Sequence, residues 1–247
     1  LKETETGYGQ VKPILTPRYT PTCTDACMEG LQVLSEKYQV PVQSHLSEGL
    51  DEIEWVKQLK PGLSCYGEAY DMYDLLGSRQ PAVMAHVVHP NEAEYELIKH
   101  RNVLVAHCPQ SNTNAANGVA PILQMVHDGI RVGLGTDMAG GYNLNLLRTM
   151  TDAIQASKLR WCFTERNGDP FAKKNFLTVA NAFYLATKGG GSFFGKVGSF
   201  EPDYEFDAVV LDDAALADFV ERPVQDRFQR ILWLHTADTV TAKFIQG

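Results

Sequence analysis

The sequence predicts an α/β fold: part of a TIM-like (β/α) barrel, about its last five strand-helix units, joined to part of a small β-rich subdomain. Three observations predict it. Short apolar runs alternate with amphipathic helical stretches, the pattern of a parallel sheet with crossover helices. Three of those runs end in His45, His86 and Asp137, and polar residues at the ends of several strands favour a barrel over an open sheet. After about Phe194 the chain becomes turn-rich and alternating instead. The predicted division is residues 1–192 for the incomplete barrel and 193–247 for the β-rich segment.

The elements follow in order. Val11 to Thr16 reads as a short strand. Thr22 to Tyr38 has a helical period, with Met28, Leu31, Leu34 and Tyr38 on one face and Thr22 or Thr24 as the cap. Val40 to Ser44 is a strand, and Ser47 to Leu59 an amphipathic helix. Ala82 to Ala85 is a strand, Asn91 to His100 a helix, and Val103 to Ala106 a strand. A loop rich in Asn and Ser runs from Cys108 to Asn117, then Val119 to His127 is a helix. Ile130 to Leu134 is an apolar strand that feeds the glycine-rich turn holding Asp137, and Leu144 to Arg160 is a longer helix. Gly189-Gly190-Gly191 reads as a helix stop; it lacks the strand before it and the G-K-[ST] ending of a phosphate loop. Phe206 to Asp212 is a strand, Pro223 to Leu234 a helix, and Thr239 to Ile245 a final strand.

Composition bounds the function. A chain of 247 residues with 44% hydrophobic residues can bury a sizeable core. The net charge of -8 and the lack of a basic stripe argue against a nucleic-acid binder. No apolar run approaches the roughly 20 residues that span a bilayer, and the polar opening, Leu1 to Gln10, does not read as a signal peptide. Five cysteines, an odd number without C-x-x-C spacing, favour a reducing compartment and small packing roles, hence a cytoplasmic protein. The start at Leu1 rather than Met fits a processed chain or a piece of a longer one.

The strand ends carry the chemistry. His45 is followed by Glu48, and a metal ligand with a carboxylate three residues on can face one pocket. A metal there would lower the pKa of bound water to about 7, and Glu48 would move its proton to a leaving group. Taken alone, Glu48 reads as an N-terminal helix cap; the company of His86 and Asp137 outweighs that. His86, in Ala-His-Val-Val-His, would orient the water or polarise a substrate, with His89 as a helix-start residue. His107 also ends a strand and reads as a histidine that braces its loop by hydrogen bonds. Asp137 is suited to ligate a metal and accept a proton. Arg18 could fork onto a carbonyl or ring nitrogen of a planar substrate, and Tyr19 could stack on its ring.

Together these residues resemble a known family. Thr16-Pro17-Arg18-Tyr19, Gln43-Ser44-His45-Leu46-Ser47-Glu48, Met84-Ala85-His86, His107-Cys108-Pro109-Gln110-Ser111-Asn112 and Gly135-Thr136-Asp137-Met138-Ala139-Gly140-Gly141-Tyr142 are similar to the guanine deaminases of the amidohydrolase superfamily. The resemblance runs from about Val11 to the end. Tyr19 stands where the family has phenylalanine and keeps a stacking face. The resemblance implies zinc-dependent hydrolysis of guanine to xanthine and ammonia, in purine catabolism, with iron as the alternative metal. It implies His45 and Asp137 as metal ligands and Glu48 as proton shuttle. His86 would face substrate and water, and Arg18 would bind the base. It also implies a homodimer for the complete enzyme, a small-molecule purine as partner, and no nucleic acid or membrane. The family's other two ligands lie in an H-x-H motif at the first barrel strand, and this sequence has none. The chain therefore reads as the C-terminal portion of such an enzyme. The alternatives are another purine or triazine aminohydrolase, or a truncated non-catalytic isoform that associates with the full-length protein.

Overall fold

The computed structural model of the chain describes residues 11–247; the polar opening, residues 1–10, lies outside the described residues. The chain forms two compact units, one of Leu1–His107 with Ala115–Val132, the other of Cys108–Asn114 with Gly133–Gly247.

The first unit opens with a short 3-10 turn, Thr20–Thr22, and helix α1, Asp25–Tyr38. Thr24 caps α1, its side chain accepting from the Cys27 amide. The buried stripe of α1 runs through Met28 and Ser35, whose Oγ donates to the Val40 carbonyl at 2.8 Å. Leu34, expected on that face, is 38% exposed, because the stripe drifts past it.

Strand β1, Val42–Leu46, pairs in parallel with β2, Ala82–His86, in the register His45↔Ala85 and Leu46↔His86. Between them lie α2, Leu50–Leu59, and a one-turn helix α3, Glu68–Asp71, in a segment that carries no clear periodic signal. Helix α4, Glu92–His100, is capped by Asn91 and leads to β3, Leu104–His107, parallel to β2. Beyond β3 come α5, Pro109–Asn114, α6, Ile122–His127, and β4, Arg131–Leu134. The strand order is β1-β2-β3-β4. Val42, Leu46, Met84 and Val105 are buried, as expected for a parallel sheet covered by helices.

Two expectations are corrected here. The first predicted strand, Val11 to Thr16, contracts to one parallel bridge between Leu15 and Val42. Pro13 and Pro17 flank it, and neither has an N–H to extend a ladder. Among the described residues, four strands therefore stand in the parallel sheet, not five. The loop from Cys108 to Asn117 holds a helix, α5, which opens on a proline where the missing N–H is tolerated.

One buried group gives this unit a pH signature. Glu94 of α4 is 1% exposed and accepts from Ser47 Oγ at 2.6 Å and the Gly67 amide at 2.9 Å. Burial pushes its carboxyl up from the ordinary 4.5 to about 7, against those two bonds and with a smaller push from Glu52. The folded protein thus keeps a proton that the unfolded chain has lost between about pH 4.5 and 7, so stability falls as pH rises through that window. The shift corresponds to roughly 3 kcal/mol above it. Glu94→Gln can still accept from Gly67 and donate to Ser47. It is expected to raise Tm at pH 8 by about 5 °C or more and to leave it unchanged at pH 4.5. An unchanged Tm at pH 8 in a melting series would contradict the assignment.

The second unit is built on α7, Leu146–Arg160, capped by Asn145, whose side chain accepts from the Leu147 amide at 2.9 Å. Met150, Ala153 and Ile154 form its buried stripe. A π-helical turn, Trp161–Glu165, continues it. Helix α8, Val179–Tyr184, runs into a second π-helical turn, Leu185–Gly189, and a 3-10 turn, Ser192–Phe194. The glycine triplet is no stop: Gly190 and Gly191 stay helical, and the chain reverses only at Gly195, φ 106°. Strand β5, Ala208–Leu211, pairs antiparallel with β6, Val240–Phe244, and helix α9, Val224–Leu234, lies between them in sequence. None of the five cysteines forms a disulfide. Cys65 and Cys108 are buried, while Cys27 and Cys162 are exposed.

Candidate functional site

The first unit gathers five of the six predicted site residues at the ends of β1 and β2. Strand alternation puts His45 and His86 on different phases, yet their rings stack, with centroids 5.2 Å apart and planes at 21°. The pleat ends at left-handed backbone. His86 has φ 76°, Val87 φ 47° and Ser47 φ 46°. A β-branched residue there is strained. The Val87 amide donates to Leu46 O and the Val88 amide to Ser47 O, each at 2.9 Å, and these bonds hold it.

His45 is held from the side. Its Nδ1 donates to the Arg18 carbonyl at 2.5 Å, which leaves Nε2 as the lone-pair nitrogen. A backbone carbonyl behind the imidazole is how metal-ligating histidines are oriented. His45 thus fits one position of a metal site. Among the described residues no three His, Cys, Asp or Glu side chains stand together as a cage for an ion.

A buried polar chain supports this corner. Ser44 Oγ donates to the Pro17 carbonyl at 2.8 Å and meets Tyr70 OH at 2.8 Å. Tyr70 OH donates to the His45 carbonyl at 2.8 Å. Burial pushes the Tyr70 phenol up to about 12 and Tyr66 higher still, so both remain neutral donors. Tyr66 OH donates to Glu52 Oε1 at 2.8 Å. Glu52 Oε2 accepts from the Glu48 amide at 3.2 Å. The carboxylate that caps α2 is therefore Glu52, which leaves the Glu48 side chain for other work.

Glu48 Oε2 lies 3.4 Å from His86 Nε2. Its Oε1 accepts from Asn117 Nδ2 at 2.9 Å. Glu48 is 22% exposed and His86 fully buried, so the carboxylate reaches both solvent and the imidazole. Arg18 is exposed, its guanidinium 5.5 Å from the Tyr19 ring centroid, and Tyr19 in turn meets Trp55 edge-on at 6.3 Å. His107, at the end of β3, is buried, and burial first, then His86, pushes it down to about 3. It stays neutral at ordinary pH. Its Nδ1 has no hydrogen-bond partner among the described residues, so the predicted loop brace is not made through that atom.

Asp137 belongs to the second unit. It sits at φ 49° at the end of the turn after β4, and its carbonyl accepts from the Gly141 amide at 2.5 Å. A side chain on Gly140 would place its Cβ 2.6 Å from both Asp137 Oδ2 and Ser111 Oγ, so it would push those groups aside. Gln110 Nε2 donates to Asp152 Oδ2 at 2.7 Å while its Oε1 accepts from the Asn143 amide at 3.1 Å. Asn114 Nδ2 donates to the Gly140 carbonyl at 3.0 Å. The turn bearing Asp137 is thus pinned to α5 and α7.

Asn117, Glu52, Tyr66 and Tyr70 are not legible as site residues in the sequence. Asn117, Tyr66 and Tyr70 act over distance along the chain, while Glu52 works locally as the N3 carboxylate of α2; Asn117 before Gly118 reads only as an ordinary turn.

A profile of the amidohydrolase family matches residues 2–230. The guanine deaminase of Dictyostelium discoideum is 36% identical over 244 residues, which cover 96% of this chain and 52% of that protein. The crystal structure of guanine deaminase from C. acetobutylicum with bound guanine in the active site superposes with a TM-score of 0.90 at 42% identity, covering 98% of this chain and 56% of that one. An adenosine deaminase from Xanthomonas campestris with bound zinc has the same fold, with a TM-score of 0.77 at 24% identity, covering 94% of this chain and 50% of that one. The chain spans about half the length of the curated relatives it matches.

Proposed function

The chain belongs to the amidohydrolase family, and from that premise we propose that it forms the C-terminal portion of an enzyme that hydrolyses guanine to xanthine and ammonia. The observation that carries the reading is the convergence of His45, oriented through Nδ1, with the Glu48–His86 pair beside Arg18. In this reading His45 would be one zinc ligand and Asp137 another, and the remaining two would come from an H-x-H segment of the complete protein. Bound there, zinc supplies Lewis acidity that makes water a nucleophile at neutral pH.

The residues of this chain do the rest. A water oxygen forms a bond to the guanine carbon bearing the amino group, and the bond from that carbon to nitrogen breaks. Glu48 takes a proton from the water and passes it to the ring nitrogen beside that carbon; it then moves the remaining hydroxyl proton to the departing nitrogen, which leaves as ammonia as the carbonyl forms. His86, beside Glu48, hydrogen-bonds the reacting oxygen. Arg18 binds the base edge with its planar fork, and Tyr19 offers a stacking face. The same reading makes the complete enzyme a cytoplasmic homodimer that acts on a small purine. No helix among the described residues is long and apolar enough to cross a membrane.

The test is to express the complete gene product, load it with zinc, and follow xanthine and ammonia from guanine beside adenine and an aminotriazine. Guanine is expected to have the highest kcat/KM. Faster turnover of adenine or the triazine would move the substrate assignment elsewhere in the family.

A further inference from the structure

A carboxylate that carries a proton between two atoms must keep its plane while it does so, and a glutamate has three rotatable bonds with which to lose it. Glu48 is held at Oε1 by the Asn117 amide at 2.9 Å, while its Oε2 lies 3.4 Å from His86 Nε2. We propose that Asn117, 69 residues away in sequence, is the positioning residue that orients Glu48 for proton transfer. The inference rests on Glu48 being the proton carrier.

Asn117 is built to hold still. Its own carbonyl accepts from His89 Nε2 at 2.5 Å. The next residue, Gly118, takes φ +119°, which turns the chain sharply, and its missing Cβ would lie 3.4 Å from both Val88 and the His89 ring. Gly49, next to Glu48, has no Cβ either; one there would come within 3.3 Å of Asn117 Oδ1. The two segments therefore approach at glycines on both sides of the amide-carboxylate bond. His89 gains a role that its place before Pro90 does not reveal. It fixes the main chain of the residue that fixes Glu48.

The amide suits the task chemically. It donates one hydrogen bond to the carboxylate and has no titratable proton, so it never competes for the proton in transit. A serine would not reach from that position, and an aspartate would set two carboxylates against each other.

The test is a double-mutant cycle in the complete, zinc-loaded protein, with Asn117→Ala and Asn117→Asp each made in the parent and in Glu48→Gln. In the parent, N117A is expected to lower kcat on guanine about 10- to 100-fold, the effect of one hydrogen bond to a charged group. KM, zinc content and Tm should stay close to the parent's. N117D keeps the shape, so it tests the idea even if the alanine variant folds poorly, and its kcat should fall at least as far. In the Glu48→Gln background N117A should change the residual rate by no more than about twofold, since the bond to Asn117 can persist there but no proton-carrying carboxylate is left for it to orient. An equal fall in both backgrounds would assign Asn117 a merely structural role and overturn the proposal. So would a parent-like kcat in N117A while E48Q collapses; in that case the proton-carrier reading survives alone. A parent-like kcat in E48Q removes the carrier, and the proposal goes with it.

Discussion

Glu48→Gln in the complete, zinc-loaded protein is expected to lower kcat on guanine by about 10²–10⁴-fold, the usual contribution of a general acid–base group. Zinc content and KM should barely move. The substitution keeps the side chain's length and shape, so the new amide oxygen can still accept from Asn117 Nδ2, and Glu52 still caps α2 through its own carboxylate. What is lost is the ability to take a proton from water and release it to nitrogen. A loss in kcat without a loss in KM marks an interaction that matters only in the transition state. Because α2 does not depend on Glu48 for its cap, a drop in rate cannot be assigned to a frayed helix, and circular dichroism of the variant should match the parent. A kcat within a few-fold of the parent would take Glu48 out of the mechanism and send the search for the proton carrier to another group.

The strand ends are legible in the sequence because a buried parallel strand is an apolar run, and a polar residue closing it stands out. His45, His86 and Asp137 show in that way, and each end of run coincides with the end of a strand or the turn just beyond it. The strand at Val11 to Thr16 misleads for a different reason. Its apolar residues fit the pattern, but Pro13 and Pro17 remove the donors a ladder needs. The segment from Lys60 to Gln80 is opaque. It is turn-rich and has one short helix, yet it delivers Tyr66 and Tyr70, and Tyr70 holds Ser44 and the His45 main chain. Local periodicity carries no record of such long-range bonds. The same holds for Asn117 and Glu48, and for Gln110 and Asp152. Side chains that carry the chemistry show in the sequence through their type and place; those that hold them show only when the chain is folded.

His45→Ala is expected to remove the metal itself, and with it all measurable turnover. The imidazole is held on one side by the Arg18 carbonyl and stacked on the other against His86, so its Nε2 is presented in one direction only. Disturbing the partner behind a ligand already weakens metal binding by about 10–100-fold; losing the ligand must weaken it further. Alanine also leaves the Arg18 carbonyl without its donor from Nδ1, although Ser44 Oγ, whose proton it shares with the closer Pro17 carbonyl, lies 3.1 Å away. The turn bearing Arg18 should therefore keep its place, and the variant should fold. Zinc measured by mass spectrometry after dialysis is expected to fall from about one ion per chain to below about one tenth, consistent with the loss of one protein ligand. This differs in kind from Glu48→Gln, which keeps the metal and loses the rate. The contrast separates holding the ion from moving the proton, two tasks that lie three residues apart. If the alanine variant retained a full complement of tightly bound zinc, His45 would not be a ligand. The carbonyl at its Nδ1 would then only fix a histidine that faces the substrate.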